Sequence, residues 1–322
     1  MRAPKHQPKK RGVPKSSSVW ANAIFLGVAA VVGFATLRYA SQGFFTDDTS
    51  AHSATSFDAR KPHAPRSPSS AMALSIPKQR ALAAVVGGFV SDAATMGLHW
   101  IYDDAKLAGL VAQHPNSPEF FNPPSCPGEL SPYGAEVLPL LQDVATRGSF
   151  DPVEFGTVSY HAAKAYTGRL NHIFKELVVK GDAGLKYPNL ASESKDSQGA
   201  TKAPVLVARY IDAPIDELLE KVVQATKVHQ IGDAIASIAL DDKVGSATRE
   251  QIQQVIDDVN ANKFANAIAA IGAYGKSCSL PGVFQGSLYV LLTTTNYVDA
   301  VRVNMAAGGD NCSRAIVNLS AK

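Results

Sequence analysis

Residues 77–100 read PKQRALAAVVGGFVSDAATMGLHW, and the fold class follows from this stretch. Pro77 suits the first turn of a helix, and the Ala, Leu and Val residues after it recur at helix-compatible spacing. The one charged side chain between Ala81 and Leu98 is Asp92. Because an unpaired buried carboxylate is costly, Asp92 needs a partner, which is either a backbone amide at another helix end or a metal or substrate.

The chain beyond residue 100 continues this helical pattern, with short Gly, Pro or Asn breaks between apolar segments. Strict alternation of apolar and polar residues is not sustained, and the one credible strand, 283–295, has flanks that favour a helix. Asp151 followed by Glu154 is typical of a helix start. We therefore predict one all-α, compact multi-helix domain over residues 77–322. Further helices are predicted at 134–147, 151–167, 214–229, 231–241, 247–259, 263–273, 282–293 and 296–306. The Pro-rich loop 114–133 is long enough to suggest a functional role.

The first 40 residues differ in charge from the rest of the chain. They contain seven Lys and Arg and no acidic residue, whereas the remainder carries 24 basic and 28 acidic side chains. The net charge of +3 therefore belongs to the N-terminal arm. Because the body lacks a sustained basic stripe, we predict no nucleic-acid partner. Three cysteines are too few, and odd in number, for a disulfide framework.

Residues 19–38 are predicted to form a transmembrane helix between a basic arm (1–18) and a flexible linker (39–76). The run VWANAIFLGVAAVVGFATL carries no charge and would span about 28 Å, close to the ~30 Å hydrocarbon core. The linker is too rich in Ser, Ala, Pro and Asp to bury much apolar surface. The positive-inside rule predicts a single-pass protein with a cytoplasmic N-terminus and a lumenal or extracellular domain. A cleaved signal peptide and organellar targeting are the alternatives.

Residues 307–315, AGGDNCSRA, form a second distinctive motif. Gly308 and Gly309 allow another molecule to approach the backbone closely. Asp310, Asn311 and Ser313 have the composition of a helix start, where such side chains cap free amides. A helix N-terminus also favours anions such as phosphate, so capping and ligand binding both remain open for this motif.

These motifs resemble those of the ADP-ribosylglycohydrolases. Residues 307–316 resemble the C-terminal signature of that family, and residues 87–100 resemble its N-terminal Gly-x-x-x-x-Asp-Ala helix. The likeness to J-type crystallins and selenoprotein J is closer and extends over roughly residues 80–319. It consists of the C-terminal signature and four segments in the same order: 92–102 (DAATMGLHWIY), 131–134 (SPYG), 204–210 (PVLVARY) and 277–286 (SCSLPGVFQG).

The resemblance implies an all-helical fold and a specific kind of site. Active members of the family bind two Mg²⁺ ions at the floor of a cleft between helices. The metals hold the ribose diol of ADP-ribose, and an acidic residue helps water to attack the anomeric carbon. We predict catalytic roles for Asp310 and Glu136, and metal binding by Asp310 and Ser313. Substrate binding falls to Gly308, Gly309, Asn311, Ser313, Asp92, His99 and Gln285.

The sequence also departs from the pattern of active family members. His99 stands where their first motif ends in Glu, and Tyr133-Gly134-Ala135-Glu136 replaces a Thr-Asp-Asp run. In the last motif Cys312 replaces the second Asp. Affinity for a divalent cation follows the number and charge of its ligands, so we expect Mg²⁺ to be held weakly. Glu136 and Asp196 are the carboxylates that could add to the remaining metal ligands.

The resemblance to the family, together with the replaced family residues, leaves two possible functions. The chain either hydrolyses or binds ADP-ribose conjugates in a cleft between helices. Alternatively it is an inactive, crystallin-like relative with a binding or structural role. For His99 and Gln285 a structural hydrogen bond competes with contact to substrate, because both side chains fit a packed helical interior as well as a cleft.

Overall fold

The computed structural model describes residues 75–121, 129–231 and 242–318. These ranges contain twelve α-helices, two 3₁₀ turns (Met96–Leu98 and Pro118–Phe120) and one pair of two-residue parallel strands. The predicted arm, membrane helix and all but the end of the predicted linker lie outside the described residues. The helices are α1 Ile76–Thr95, α2 Asp104–Val111, α3 Pro132–Arg147, α4 Pro152–Ala165, α5 His172–Asp182, α6 Gln198–Tyr210, α7 Ile215–His229, α8 Asp242–Asn260, α9 Ala267–Tyr274, α10 Gly282–Thr293, α11 Tyr297–Ala307 and α12 Asn311–Asn318; the strands are β1 Ser192–Glu193 and β2 Gln230–Ile231.

The prediction of a mostly helical domain is confirmed, with differences in detail. Helices α2, α5 and α6 were not predicted. The predicted helix 231–241 fails at its start, because Gln230 and Ile231 pair with β1 as a strand, and its remaining residues lie outside the described ranges. The segment 283–295, which had a weak strand signal, is helical as its flanks indicated.

Helix α1 is the helix predicted from residues 77–100, with proline in its first turn. It packs against α12 and α6, so the two ends of the described chain lie together. Residues 76–98 are long and apolar enough to cross a membrane, yet 44% of their most apolar window is buried inside the domain. Because its buried face contacts other helices, we interpret α1 as a core helix.

Side-chain caps fix where the helices near the site begin. Ser131 Oγ accepts hydrogen bonds from the Tyr133 and Gly134 amides at the start of α3. Asp151 caps α4, as predicted from its sequence, and Asn171 caps α5 through the amide of Phe174. Because these caps satisfy amides that helix geometry leaves unpaired, they define the helix starts that surround the site.

The core has two main clusters, and α12 lies between them. Cys312 and Ile316 belong to the cluster formed with α1, α3, α6 and α7. Ala315 belongs to the cluster formed with α9, α10 and α11. Every residue described in the first two turns of α12 is buried, so the preceding residue, Asp310, is held at the junction of both clusters.

Candidate functional site

The two sequence motifs meet through backbone pairing. The Trp100 amide donates to the Gly309 carbonyl at 2.8 Å, and the Gly309 amide donates to the Ile101 carbonyl at 2.6 Å. The Asp310 amide donates to the Lys276 carbonyl at 2.7 Å. The segments after α1, before α10 and before α12 therefore converge on Asp310.

The two glycines of the last motif allow the protein's own chain to pack closely. Gly308 and Gly309 have φ angles of +66° and +61°, which disfavour other residues. A Cβ on Gly309 would overlap the Lys276 carbonyl, and one on Gly308 would overlap the Ile101 carbonyl. The structure thus accounts for both glycines without a bound molecule, although they were predicted to contact substrate.

The Arg314 side chain stabilises the turn at Gly308 and Gly309 through hydrogen bonds. Its side chain is 1% exposed, donates to the carbonyls of Gly308 and Lys276, and donates to Asn304 Oδ1 at 2.8 Å. Burial lowers the pKa of Arg314 to about 10, which leaves it charged at neutral pH. A buried guanidinium close to the motif is the principal fixed positive charge near Asp310 among the described residues.

Asp310 is fully buried and has one unsatisfied oxygen. Its Oδ2 accepts a 2.6 Å hydrogen bond from the Tyr133 hydroxyl. Its Oδ1 lies 3.5 Å from His99 Nε2, and neither of these two atoms has a hydrogen-bond partner. Burial raises the pKa of Asp310 to about 6, although Tyr133 and Arg314 oppose the shift. The cluster therefore presents a buried acceptor that a ligand donor would satisfy.

His99 is held as a neutral imidazole beside this carboxylate. Burial lowers its pKa to about 3, while the bond to Asn311 opposes the shift. Its Nδ1 lies 3.1 Å from Asn311 Oδ1, and its ring stacks on Trp100 with centroids 4.4 Å apart. An imidazole with so low a pKa is a weak base at neutral pH.

The buried Asp92 carboxylate accepts hydrogen bonds from Ser131 at the start of α3, so a helix start is the partner that its sequence context requires. It accepts the Ser131 amide at 2.8 Å and the Ser131 hydroxyl at 2.5 Å. Burial raises the pKa of Asp92 to about 7 against the effect of these two bonds. Because Ser131 caps α3, Asp92 joins α1 to α3 and lies behind the site.

The first turn of α12 is occupied by internal contacts. Asn311 Nδ2 donates to the Leu98 carbonyl, and Ser313 Oγ donates to the Asp310 carbonyl at 3.0 Å. Cys312, which replaces an acidic residue of the family pattern, accepts from Thr95 Oγ1 at 3.2 Å. The side chains of Asn311 and Ser313 thus have protein partners at positions where the sequence predicted substrate and metal contacts.

Glu136 and Gln285 lie in other clusters. Glu136 is fully buried and pairs with Lys202 Nζ at 3.0 Å, while Asn171 Nδ2 donates to it at 2.6 Å. Gln285 donates to Gln254 Oε1 at 3.1 Å. Neither set of contacts includes Asp310, so the catalytic role predicted for Glu136 and the substrate contact predicted for Gln285 have no support from these contacts.

Several residues at the site were not singled out by sequence reasoning. Tyr133 and Cys278 lie in segments that resemble the J-type crystallins, and this resemblance is the sequence feature that could have identified them as site residues. Cys278 is half-buried next to Asp310 and Asp196, and burial raises the pKa of its thiol. Asp196, which the sequence offered as an additional carboxylate, lies 3.2 Å from His172 Nδ1. Trp100 is partly exposed, and Tyr102 and Arg169 are exposed; we call these three residues on the solvent side of the cluster its mouth.

The described residues do not fit a two-magnesium site. Hard cations require several oxygen ligands. Asp310 offers one free carboxylate oxygen, whereas both oxygens of Asp92 are bound by Ser131. Within the described ranges, no group of three or more His, Cys, Asp or Glu residues could hold a metal ion.

The ADP-ribosylglycohydrolase family model matches residues 74–318, so the chain belongs to the ADP-ribosylglycohydrolase family. Among its relatives are two crystallins of Tripedalia cystophora. Crystallin J1A is 25% identical and crystallin J1B is 23% identical, in each case over 74% of this chain and 85% of the relative. The predicted likeness to J-type crystallins is confirmed. A solved chain titled "ADP-ribosylglycohydrolase-related protein complex" aligns with a TM-score of 0.49 at 14% identity, covering 76% of this chain and 86% of that one.

Proposed function

We propose that this protein binds ADP-ribose or an ADP-ribosylated ligand at Asp310 without magnesium, and does not catalyse metal-dependent hydrolysis. The main support for the proposal is that Asp310 Oδ1 is buried and accepts no hydrogen bond. A buried acceptor without a partner is costly, and a ribose hydroxyl would satisfy it. The Tyr133 hydroxyl binds the other carboxylate oxygen, Oδ2, and His99 Nε2 lies 3.5 Å from Oδ1.

Binding is favoured over hydrolysis because Glu136 and His99, two groups that could activate water, are engaged or weakly basic. Glu136 is paired with Lys202, and His99 is neutral with a lowered pKa. Metal-assisted hydrolysis additionally needs hard ligands around a cation, and the described carboxylates do not supply them. The family relationship supports the ligand class, and the residues of this chain support binding without turnover.

Calorimetry of the full chain with ADP-ribose, in excess Mg²⁺ and in chelator, tests this proposal. We expect equal affinity in both buffers and no release of ADP-ribose from an ADP-ribosylated protein. A ligand at about 100 times its dissociation constant should stabilise the fold by ~2.7 kcal/mol. Binding that appears only with Mg²⁺, or turnover that chelator abolishes, would contradict the proposal and favour a hydrolase.

A structural role is the second candidate, because both curated relatives are named crystallins. A protein with only this role would show neither binding nor thermal stabilisation with ADP-ribose in either buffer. The same titration therefore separates the two candidates.

We also propose that residues 19–38 attach the domain to a membrane. The support is the uncharged run and the basic flank before it. The N-terminus would be cytoplasmic and the domain lumenal or extracellular, with organellar targeting as the alternative.

A further inference from the structure

The loop 166–171, between α4 and α5, brings Arg169 to the mouth of the Asp310 cluster. The Arg169 guanidinium carbon lies 4.5 Å from the centre of the Trp100 ring. The same ring stacks on His99, which faces Asp310. Trp100 therefore connects an exposed cation to the buried cluster.

The charge of Arg169 acts on both the buried and the exposed part of this region. Burial lowers the pKa of His99, and Arg314 and Arg169 lower it further. Burial raises the pKa of Tyr102 to about 12, while Arg169 opposes that shift. Tyr102 is 51% exposed and the His99 side chain is 2% exposed, so the guanidinium lies close to both the solvent side and the inner side of the mouth.

Both ends of this loop are pinned. The Tyr166 hydroxyl donates to the Leu130 carbonyl at 3.0 Å, and its ring packs against Gly168 so closely that a Cβ there would collide with it. Asn171 caps α5 and donates to the buried Glu136. Arg169 is two residues from that cap, so little loop freedom remains to be lost when a ligand binds.

Trp100 has a backbone conformation that is rare for residues with side chains. Its φ is +59°, and its amide is held by the Gly309 carbonyl at 2.8 Å. Non-glycine residues in this region carry strain that persists when the surroundings enforce it. This backbone conformation holds the indole ring between His99 and the Arg169 guanidinium.

We propose that Arg169, positioned by Trp100, is an anion-binding residue that takes the diphosphate of a ligand whose ribose reaches Asp310. The inference rests on the proposed function and adds a recognition residue to it. A guanidinium stacked on an aromatic ring keeps its in-plane N–H donors, which match phosphate oxygens in pairs. Among the described residues, no carboxylate forms an ion pair with Arg169. A phosphate oxygen would be its first charged partner in this part of the chain.

The test compares the full chain with its Arg169→Gln and Arg169→Lys variants by calorimetry, using ADP-ribose and inorganic pyrophosphate at several salt concentrations. We expect Arg169→Gln to weaken ADP-ribose binding by roughly tenfold to a hundredfold, as for loss of a charged hydrogen bond. The variant should also show a shallower dependence of affinity on salt. Arg169→Lys should be intermediate, because it keeps the charge and loses the paired geometry.

Arg80→Gln is the matched control, since it removes an exposed guanidinium from α1 and should leave both affinities unchanged. If wild type binds ADP-ribose and Arg169→Gln binds it equally well, the inference fails and the proposed function stands. A weaker variant with an unchanged salt dependence also overturns the inference. Binding of pyrophosphate but not ADP-ribose, lost in Arg169→Gln, supports the anion site and contradicts the proposed function. Failure of wild type to bind either probe overturns both.

Discussion

At the scale of single residues, Asp310 shows how burial alters a carboxyl group. Its pKa is raised to about 6, so its ionised form is less favourable in the folded protein than in the unfolded chain. The folded protein therefore loses stability as pH rises from about 4 to about 6, and the loss is complete above that window. The sequence motif placed Asp310 at a helix start, whereas its carboxylate is bound by Tyr133 rather than by capped amides.

Asp310→Asn should remove this cost. At neutral pH we expect the free energy of unfolding to rise by about 1 to 3 kcal/mol, because a neutral amide still accepts from Tyr133 without carrying a buried charge. The gain should disappear below about pH 4, where the wild-type carboxyl is protonated in both states. Urea unfolding across this pH range measures the effect, with exposed Asp257→Asn as the control. A variant that is less stable at neutral pH would show that the charge stabilises the fold.

Gly134 lies where α3 approaches Asp92 of α1 closely. A Cβ at this position would overlap Asp92 Oδ2, which accepts the Ser131 amide. Gly134→Ala should therefore cost about 1 to 3 kcal/mol of stability, in the range of overpacked cores. Gly272→Ala, in α9, is the matched control because nothing lies within 4 Å of its added methyl. That change should stabilise by about 0.5 to 1 kcal/mol. Equal thermal shifts for the two variants would contradict the contact with Asp92.

At the scale of elements, a buried ion network joins α3, α6, α7 and the start of α5. Glu136 pairs with Lys202 at 3.0 Å, lies 3.5 Å from His229 Nδ1 and accepts from Asn171. Burial raises the pKa of Glu136, but Lys202, His229 and Asn171 together lower it to about 2. Asn171 caps α5, the helix that follows the loop with Arg169. The network therefore helps to fix the position of that loop.

Lys202→Met should destabilise the domain by about 3 to 5 kcal/mol, because it leaves the Glu136 carboxylate buried without its cation. The double variant Glu136→Gln with Lys202→Met removes both charges and should recover most of that loss. Chemical denaturation of the two variants and wild type measures the difference. Losses that simply add in the double variant would mean that the two groups do not interact.

Elements with clear local signals can be predicted from the sequence, whereas contacts between distant parts of the chain cannot. The apolar run of α1 and the Asp151 cap of α4 depend on neighbouring residues, and both were predicted. Helix α6 was missed because Pro204 signals a break, while the buried residues around it, including Val205 and Leu206, favour the helix. The pairing of Tyr133 with Asp310 spans 177 residues, and no local pattern encodes such a contact.

At the scale of the whole molecule, the family match begins at residue 74, after the proposed anchor. Removing residues 1–40 should release the protein from membranes, because it removes that anchor, and should leave the helical domain folded. Carbonate extraction and circular dichroism test the two parts of this prediction separately. A truncated protein that stays with the membrane pellet contradicts the anchor, and one that loses helical signal contradicts an independent domain.

The pairing of α1 with α12 has a consequence for how the protein is made. The bond from Ser91 to the Ala315 carbonyl joins residues 224 positions apart. At a synthesis rate of roughly 5 to 20 residues per second, α1 leaves the ribosome about 10 to 45 s before its partner helix exists. During that interval the face of α1 that α12 covers has no native partner, although α6 can pack on α1 earlier. Nascent chains should therefore depend on chaperones until the last helix has emerged, and ribosome stalling near the C-terminus should increase aggregation.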